Sequence, residues 1–353
     1  KMKTKKLAAW FLSLAMALSL AACGGDSQTS GGETGDSTTA DTSGGDAIVL
    51  RASHSCAISH PYQLGLEKFA ELVDEKTNGA VQIDIFHSAQ LGDERANIED
   101  LQMGTLDIAV SSTGPLGNFV SDYLILDLPF LFTSYEHAHA VLDGEIGQNL
   151  MAKLDDIGIV GGAFWENGFR EMTNSKHPIN SVADCAGLKI RCMETKIYLS
   201  AYKALGVNAT PMAWGELLTA LQQGTVDGCD APLSVLYTNG FPDICKYIDN
   251  VNLFYSPLPV CISTSVYESL SEEDQAILKE AAQEAAKETR ENNDATAEKM
   301  ESDLTSQGMT IVSSEDVDTE AFQSAVQPCY DEMESYIGSE WVDQIKSLTG
   351  TEG

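Results

Sequence analysis

Two arginines in a chain of scarce cations frame the chemistry. Arg170 follows a glycine and an aromatic (Gly168, Phe169) and precedes Thr173, Asn174 and Ser175; Arg191 ends the short apolar run Gly187-Leu188-Lys189-Ile190-Arg191. Arginine does not shed its proton, so a buried guanidinium must be paired, and its planar fork fits a carboxylate bidentately. Two such residues beside strand-like segments point to a site for an anion. Arg191 sits just past its apolar strand, at the carboxyl end where α/β sheets place ligands. A structural ion pair with Glu194 or Asp230 is the plain alternative. For Arg170 the alternative is a brace between parts of the fold. Trp165, Met193 and Trp214 supply apolar bulk of the kind that packs against an organic carbon skeleton while a cation holds the polar end, though each also fits an ordinary core.

The elements that would position these residues follow a βαβ rhythm. Strands are expected at Ile48–Ala52, Ala80–Phe86, Leu106–Ser111, Gly158–Ala163, Leu188–Cys192 and Val260–Ser263, with helices at Tyr62–Lys76, Asp93–Gln102, Lys196–Ala204 and Glu216–Gln222. Gly104 falls just past the second helix, where a left-handed C-cap belongs. Ser271-Glu272-Glu273-Asp274 places a cap and three acids on the positive end of a helical run reaching about Leu304. The acids of Glu284–Asp294 read as its solvated face. These patterns predict α/β lobes with mostly parallel sheets.

The first 46 residues read differently. Lys3, Lys5 and Lys6 head an apolar run from Leu7 to Leu20 that is too short to span a bilayer of ~30 Å. Leu20-Ala21-Ala22-Cys23 then forms a lipobox, so residues 1–22 are expected to be a lipoprotein signal peptide and Cys23 the lipidated residue. Residues 23–46 carry Gly, Ser, Thr, Asp, Glu and Gln almost exclusively, which predicts a flexible tether holding the protein to the outer face of the cytoplasmic membrane.

The formal charge is −32, and loss of Lys1, Lys3, Lys5 and Lys6 with the signal leaves 17 basic against 53 acidic residues, or −36. Nucleic acid is excluded as a partner, because it requires stripes of Lys and Arg. An anion must then be attracted by a local basic pocket, against the field of the whole chain. Cys56, Cys185, Cys192, Cys229, Cys245, Cys261 and Cys329 form no CxxC or zinc-like spacing. They are expected to be small buried hydrophobes, a Cys185–Cys192 bridge being the alternative; no metal and no cofactor is implied.

The motifs together resemble the solute-binding receptors of tripartite ATP-independent periplasmic (TRAP) transporters, of the dicarboxylate-receptor type. The resemblance rests on FREMTNSKHPI, GLKIRCMET, LGVNATPMAWGELLTALQQGTVDG and CDAP, and in the amino-terminal half on Gln90-Leu91-Gly92 through Arg95, Met103-Gly104-Thr105-Leu106-Asp107 and Leu128-Pro129-Phe130-Leu131-Phe132. It extends over nearly all of residues 48–348. It implies a two-lobed periplasmic-binding-protein-like α/β fold of the class II type, with a ligand cleft between the lobes and a long helix along both. Lobe I is expected at residues 47–167 plus 257–296, and lobe II at 168–256 plus 297–353. It also implies a monomeric receptor that hands a small organic acid to membrane permease subunits.

On the same basis Arg191 clamps the ligand carboxylate and Arg170 is a second cation. Trp214 lines the pocket, and His54 offers a polar contact after the first strand. Glu94 and Ser112 reach the ligand in some relatives, though Glu94 also suits a helix cap and Ser112 a loop. Where the family has Glu-Asn-Pro, this chain has Asp230-Ala231-Pro232. Ala231 cannot donate the asparagine's hydrogen bond, which favours a monocarboxylate with an apolar or aromatic body over a dicarboxylate. Asp230 keeps the acid, to receive a ligand hydroxyl or amine or to pair with a pocket arginine. Two other functions stay open at this level. One is an exported enzyme using the same cleft, although no G-x-S-x-G, H-E-x-x-H, P-loop or Rossmann glycine run occurs. The other is a ligand sensor for a signalling partner.

Overall fold

The nine strands of this computed structural model, which describes residues 47–337 and 339–348, belong to one sheet. They are β1 (Ile48–Ser53), β2 (Val81–Phe86), β3 (Ile108–Val110), β4 (Ile159–Asn174), β5 (Lys189–Cys192), β6 (Asn208–Pro211), β7 (Gly228–Pro232), β8 (Tyr247–Ser263) and β9 (Thr310–Val312). The order is β2-β1-β3-β8-β4-β7-β5-β6, with β9 beside β8. Each flank is parallel: β1 pairs with β2 and β3, and β5 pairs with β6 and β7. The middle is antiparallel, through β3–β8, β8–β4 and β4–β7. The sheet is therefore mixed, not mostly parallel throughout. The predicted signal peptide, Cys23 and the tether lie outside the described residues.

The expected short strands at Gly158–Ala163 and Val260–Ser263 are the ends of β4 and β8, 16 and 17 residues long. These two strands run through both halves of the molecule. Both are buried along most of their length, so neither shows the alternation that marks a half-solvated strand. Their register shifts between Gly161 and Phe164, between Glu166 and Gly168, and between Arg170 and Met172. Gly168 sits there at φ +107°, which a side chain would resist, and an added Cβ would approach the Tyr135 hydroxyl to 3.2 Å.

Local signals hold elsewhere. Asp93 caps the helix Glu94–Met103 by accepting from the Ala96 amide, and Gly104 closes it in the left-handed region. Ser271 accepts from the Asp274 amide and opens the helix Glu272–Ser306, about 52 Å long at 1.5 Å per residue. Its first half buries Leu278, Ala281, Ala282 and Ala285 against β1, β8 and the helix Pro61–Lys76. Near its other end Leu304 joins the core around β7, and Tyr237 donates to Asp303. One helix thus braces both flanks of the sheet.

Candidate functional site

β5 delivers Arg191 at its carboxyl end, between Thr210 of β6 and Cys229 of β7. Its side chain is only 4% exposed. Nε donates to the Met212 carbonyl at 2.9 Å, and the guanidinium stacks 5.6 Å from the Trp214 ring, itself packed on Phe241. Among the described residues it meets no carboxylate within salt-bridge distance, so neither Glu194 nor Asp230 pairs with it. Among the described residues, Nε is the one guanidinium nitrogen of Arg191 with a hydrogen-bond partner in the protein.

Arg170 has a different fate. It lies on β4 diagonally across from Asp230 on β7, since Arg170 pairs with Pro232 and Met172 with Asp230. Its Nε donates to the Asp230 carboxylate and its Nη2 to the Asp230 carbonyl at 2.7 Å, both side chains being buried. Asp230 holds the guanidinium strongly protonated against the cost of burial. Arg170 is thus a braced cation facing the cavity, with most of its fork already used.

These groups wall a narrow void of about 30 Å³, lined also by Glu94, Ser112, Met193, Trp214 and Ala231. Glu94 accepts from the Ser112 amide (2.9 Å) and hydroxyl (2.8 Å); burial raises its carboxyl above the usual range. A second void opens from Arg191, Met193 and Trp214 toward Asp93, Arg95 and Glu194. A larger groove between Phe130 and Tyr330 is lined by His137, held by Thr133 and Ile345, and by Lys346, whose ammonium lies 4.2 Å from the centre of the Tyr330 ring.

Two expected residues lie elsewhere. Trp165 is fully buried under the long helix, donating to the Ala282 carbonyl and packing on Phe69, so it is a core residue and not a pocket wall. Its place follows from the β4 register, which turns it toward the helix. His54 is also fully buried and shares a hydrogen bond with Gln63 at 2.9 Å, outside the cavity lining; burial lowers its pKa, so it stays neutral. The neighbours Ser55 and Cys56 line the cavity in its stead, with Tyr62, Asn167, Pro232 and Val235. Nothing in their spacing marks these six, except that Pro232 adjoins Ala231. The seven described cysteines are free and buried, Cys185 and Cys192 included.

The profile of "Bacterial extracellular solute-binding protein, family 7" matches residues 52–336. The chain belongs to that family. A solute-binding protein of Verminephrobacter eiseniae is 38% identical over 299 residues, covering 85% of this chain and 89% of the relative. A TRAP periplasmic solute-binding protein from Polaromonas sp. JS666, solved with bound D-erythronate, superposes with a TM-score of 0.84 at 40% identity, over 86% of this chain and 99% of the other. The sugar acid-binding protein of Advenella mimigardefordensis, solved with galactonate, gives a TM-score of 0.82 at 31% identity, over 85% and 97%. The fold of this receptor is the two-lobed one of those binding proteins, and the void at Arg191 is walled by residues of both flanks, with Asn167 and Arg170 of β4 between them.

Proposed function

We propose that this receptor captures a hydroxylated monocarboxylate, held by Arg191, and delivers it to TRAP permease subunits. The observation that carries the reading is the difference between the two arginines. Arg191 is buried without a carboxylate partner, and Arg170 is already paired with Asp230. A second carboxylate would call for another free cation or an amide in the asparagine's place, and the lining has a paired Arg170 and Ala231 there. Opposite it stand Glu94, Ser112, Asn167 and Tyr62, which suit hydroxyl groups better than the apolar or aromatic body expected from Ala231 alone. D-erythronate and galactonate, the ligands of the two similar structures, have this chemistry.

Capture requires no bond-breaking, and we read the protein as a binding protein and not an enzyme. Lobe I would comprise residues 47–167 plus 257–296 and lobe II 168–256 plus 297–353. The bulges around Gly168 and the crossing into β8 at Ser256 and Pro257 supply the hinge. Closure strengthens the charge pair by excluding water. The lipobox at Cys23 supports anchoring to the outer face of the membrane; labelled palmitate retained by a Cys23→Ala chain would sink that assignment. A thermal-shift panel of D-erythronate, galactonate and succinate tests the ligand class. Saturation at 100 times Kd should stabilise by about 2.7 kcal/mol. Equal stabilisation by succinate would overturn the monocarboxylate reading.

A further inference from the structure

Behind the anion site lies a chamber of buried acids that binding leaves short of positive charge. Asp127 is fully buried, and its Oδ1 accepts from Thr113 at 2.6 Å, one residue beyond the pocket-lining Ser112. Its Oδ2 has no hydrogen-bond partner. The groups that face it are Arg170 from β4, Asp230 from β7, Glu94 from the helix Glu94–Met103, and Tyr198 from the helix Lys196–Ala204. Asp230 Oδ1 and the hydroxyls of Tyr198 and Tyr202 are likewise buried and unpartnered. Among the described residues no group of acids converges tightly enough to hold a metal ion.

The charges do not balance once a ligand arrives. Arg170 and Arg191 oppose Asp230, Glu94 and Asp127, and an acid anion adds a fourth negative charge. We propose that binding of the anion at Arg191 is accompanied by uptake of a proton in this chamber, with Asp127 as the acceptor. This rests on the carboxylate-receptor reading above. Asp127 is the least supported of the three acids. Glu94 has two donors from Ser112 and Asp230 holds Arg170, whereas Asp127 has one hydroxyl. Burial outweighs that hydroxyl and Arg170 and holds its carboxyl up at about 7. A ligand anion nearby raises it further. Protonation removes the charge from a carboxyl whose Oδ2 has no donor to support it.

Linkage sets the sign. Below about pH 7 Asp127 is already protonated and affinity is flat; above it, binding must recruit the proton, and Kd rises by up to about tenfold per pH unit until the bound-state pKa is passed. The test is titration calorimetry of the mature chain with D-erythronate and with galactonate at pH 8, in buffers of different ionisation enthalpy. The expected result is uptake of roughly half to one proton per site, retained in Asp249→Asn, a buried acid outside the cavity lining, and lost in Asp127→Asn. Should Asp127→Asn fail to fold, the pH profile of Kd for the unmodified chain decides. Binding without proton uptake and with Kd flat from pH 6 to 8.5 overturns the inference and leaves the receptor reading intact. Uptake that persists in Asp127→Asn overturns the assignment to Asp127. Failure of both acids to bind removes the hydroxy-acid reading and this inference with it.

Discussion

Truncating Arg191 and truncating Arg170 should produce opposite phenotypes, although both are buried arginines facing one cavity. Arg191→Ala removes one hydrogen bond, to the Met212 carbonyl, and one stacking contact, with Trp214. Those contribute about 1 kcal/mol and about 0.5–2 kcal/mol. No carboxylate is orphaned, and an unpaired buried cation is relieved at the same time. The unliganded protein should therefore melt within several degrees of the parent, since about 1 kcal/mol corresponds to ~2–4 °C at this size.

Ligand affinity should collapse, because the bound acid then lies buried without its partner. Breaking such a pair costs about 3–5 kcal/mol, or roughly 150- to 5,000-fold in Kd. Arg191→Lys keeps the charge but loses the fork and the Nε contact, so it should fall between. Arg170→Ala instead strands Asp230, which is 1% exposed, and the same 3–5 kcal/mol appears as lost folding stability. Urea denaturation and calorimetry with D-erythronate measure the two quantities on each variant. An Arg191→Ala protein that loses less than tenfold in affinity, or an Arg170→Ala protein as stable as the parent, would refute the division of labour.

Three further outcomes follow from groups away from the two arginines. Asp249 accepts from the Ile179 amide and from Asn174, and burial pushes its carboxyl up to about 7. Its neutral form favours folding, so this contribution is complete near pH 4 and is lost as pH rises through about 7. Urea midpoints should show the parent losing on the order of 2–4 kcal/mol more than Asp249→Asn between pH 5 and pH 8. The seven described thiols are buried, and burial pushes Cys185 and Cys192 up to about 12. A disulfide-exchange reagent should find none of them in the native protein within minutes at pH 8, and all seven after denaturation. Ala231 is 1% exposed in the cavity wall, so Ala231→Asn should cost about 1–3 kcal/mol by overpacking. If the new amide reaches the ligand, it should also raise succinate affinity relative to D-erythronate; a change in stability with no change in that ratio removes the amide from ligand recognition.

Much of the local structure follows from short-range chemistry that is visible in a linear chain. Caps act over three or four residues, so Asp93, Gly104 and Ser271 mark their helix ends without help from the rest of the fold. The long helix declares itself by its buried alanines and leucines and its acidic face. The place of Arg191 at the end of a buried strand is legible for a similar reason, since the apolar run Leu188–Ile190 marks the strand that carries it. Tertiary structure alone decided what lies between distant segments. β4 and β8 look short in sequence because strands buried on both faces lose the alternation that reveals length. Arg170 meets Asp230 only because the β4–β7 register sets them on a diagonal, 60 residues apart in the chain, and that pairing turns an expected ligand cation into a brace. The same packing sends Trp165 under the helix, pairs His54 with Gln63, and gathers Thr113, Asp127, Arg170, Tyr198 and Asp230 into one chamber. Periodicity reports which way a side chain faces on its own element, and only the register between elements decides what it meets.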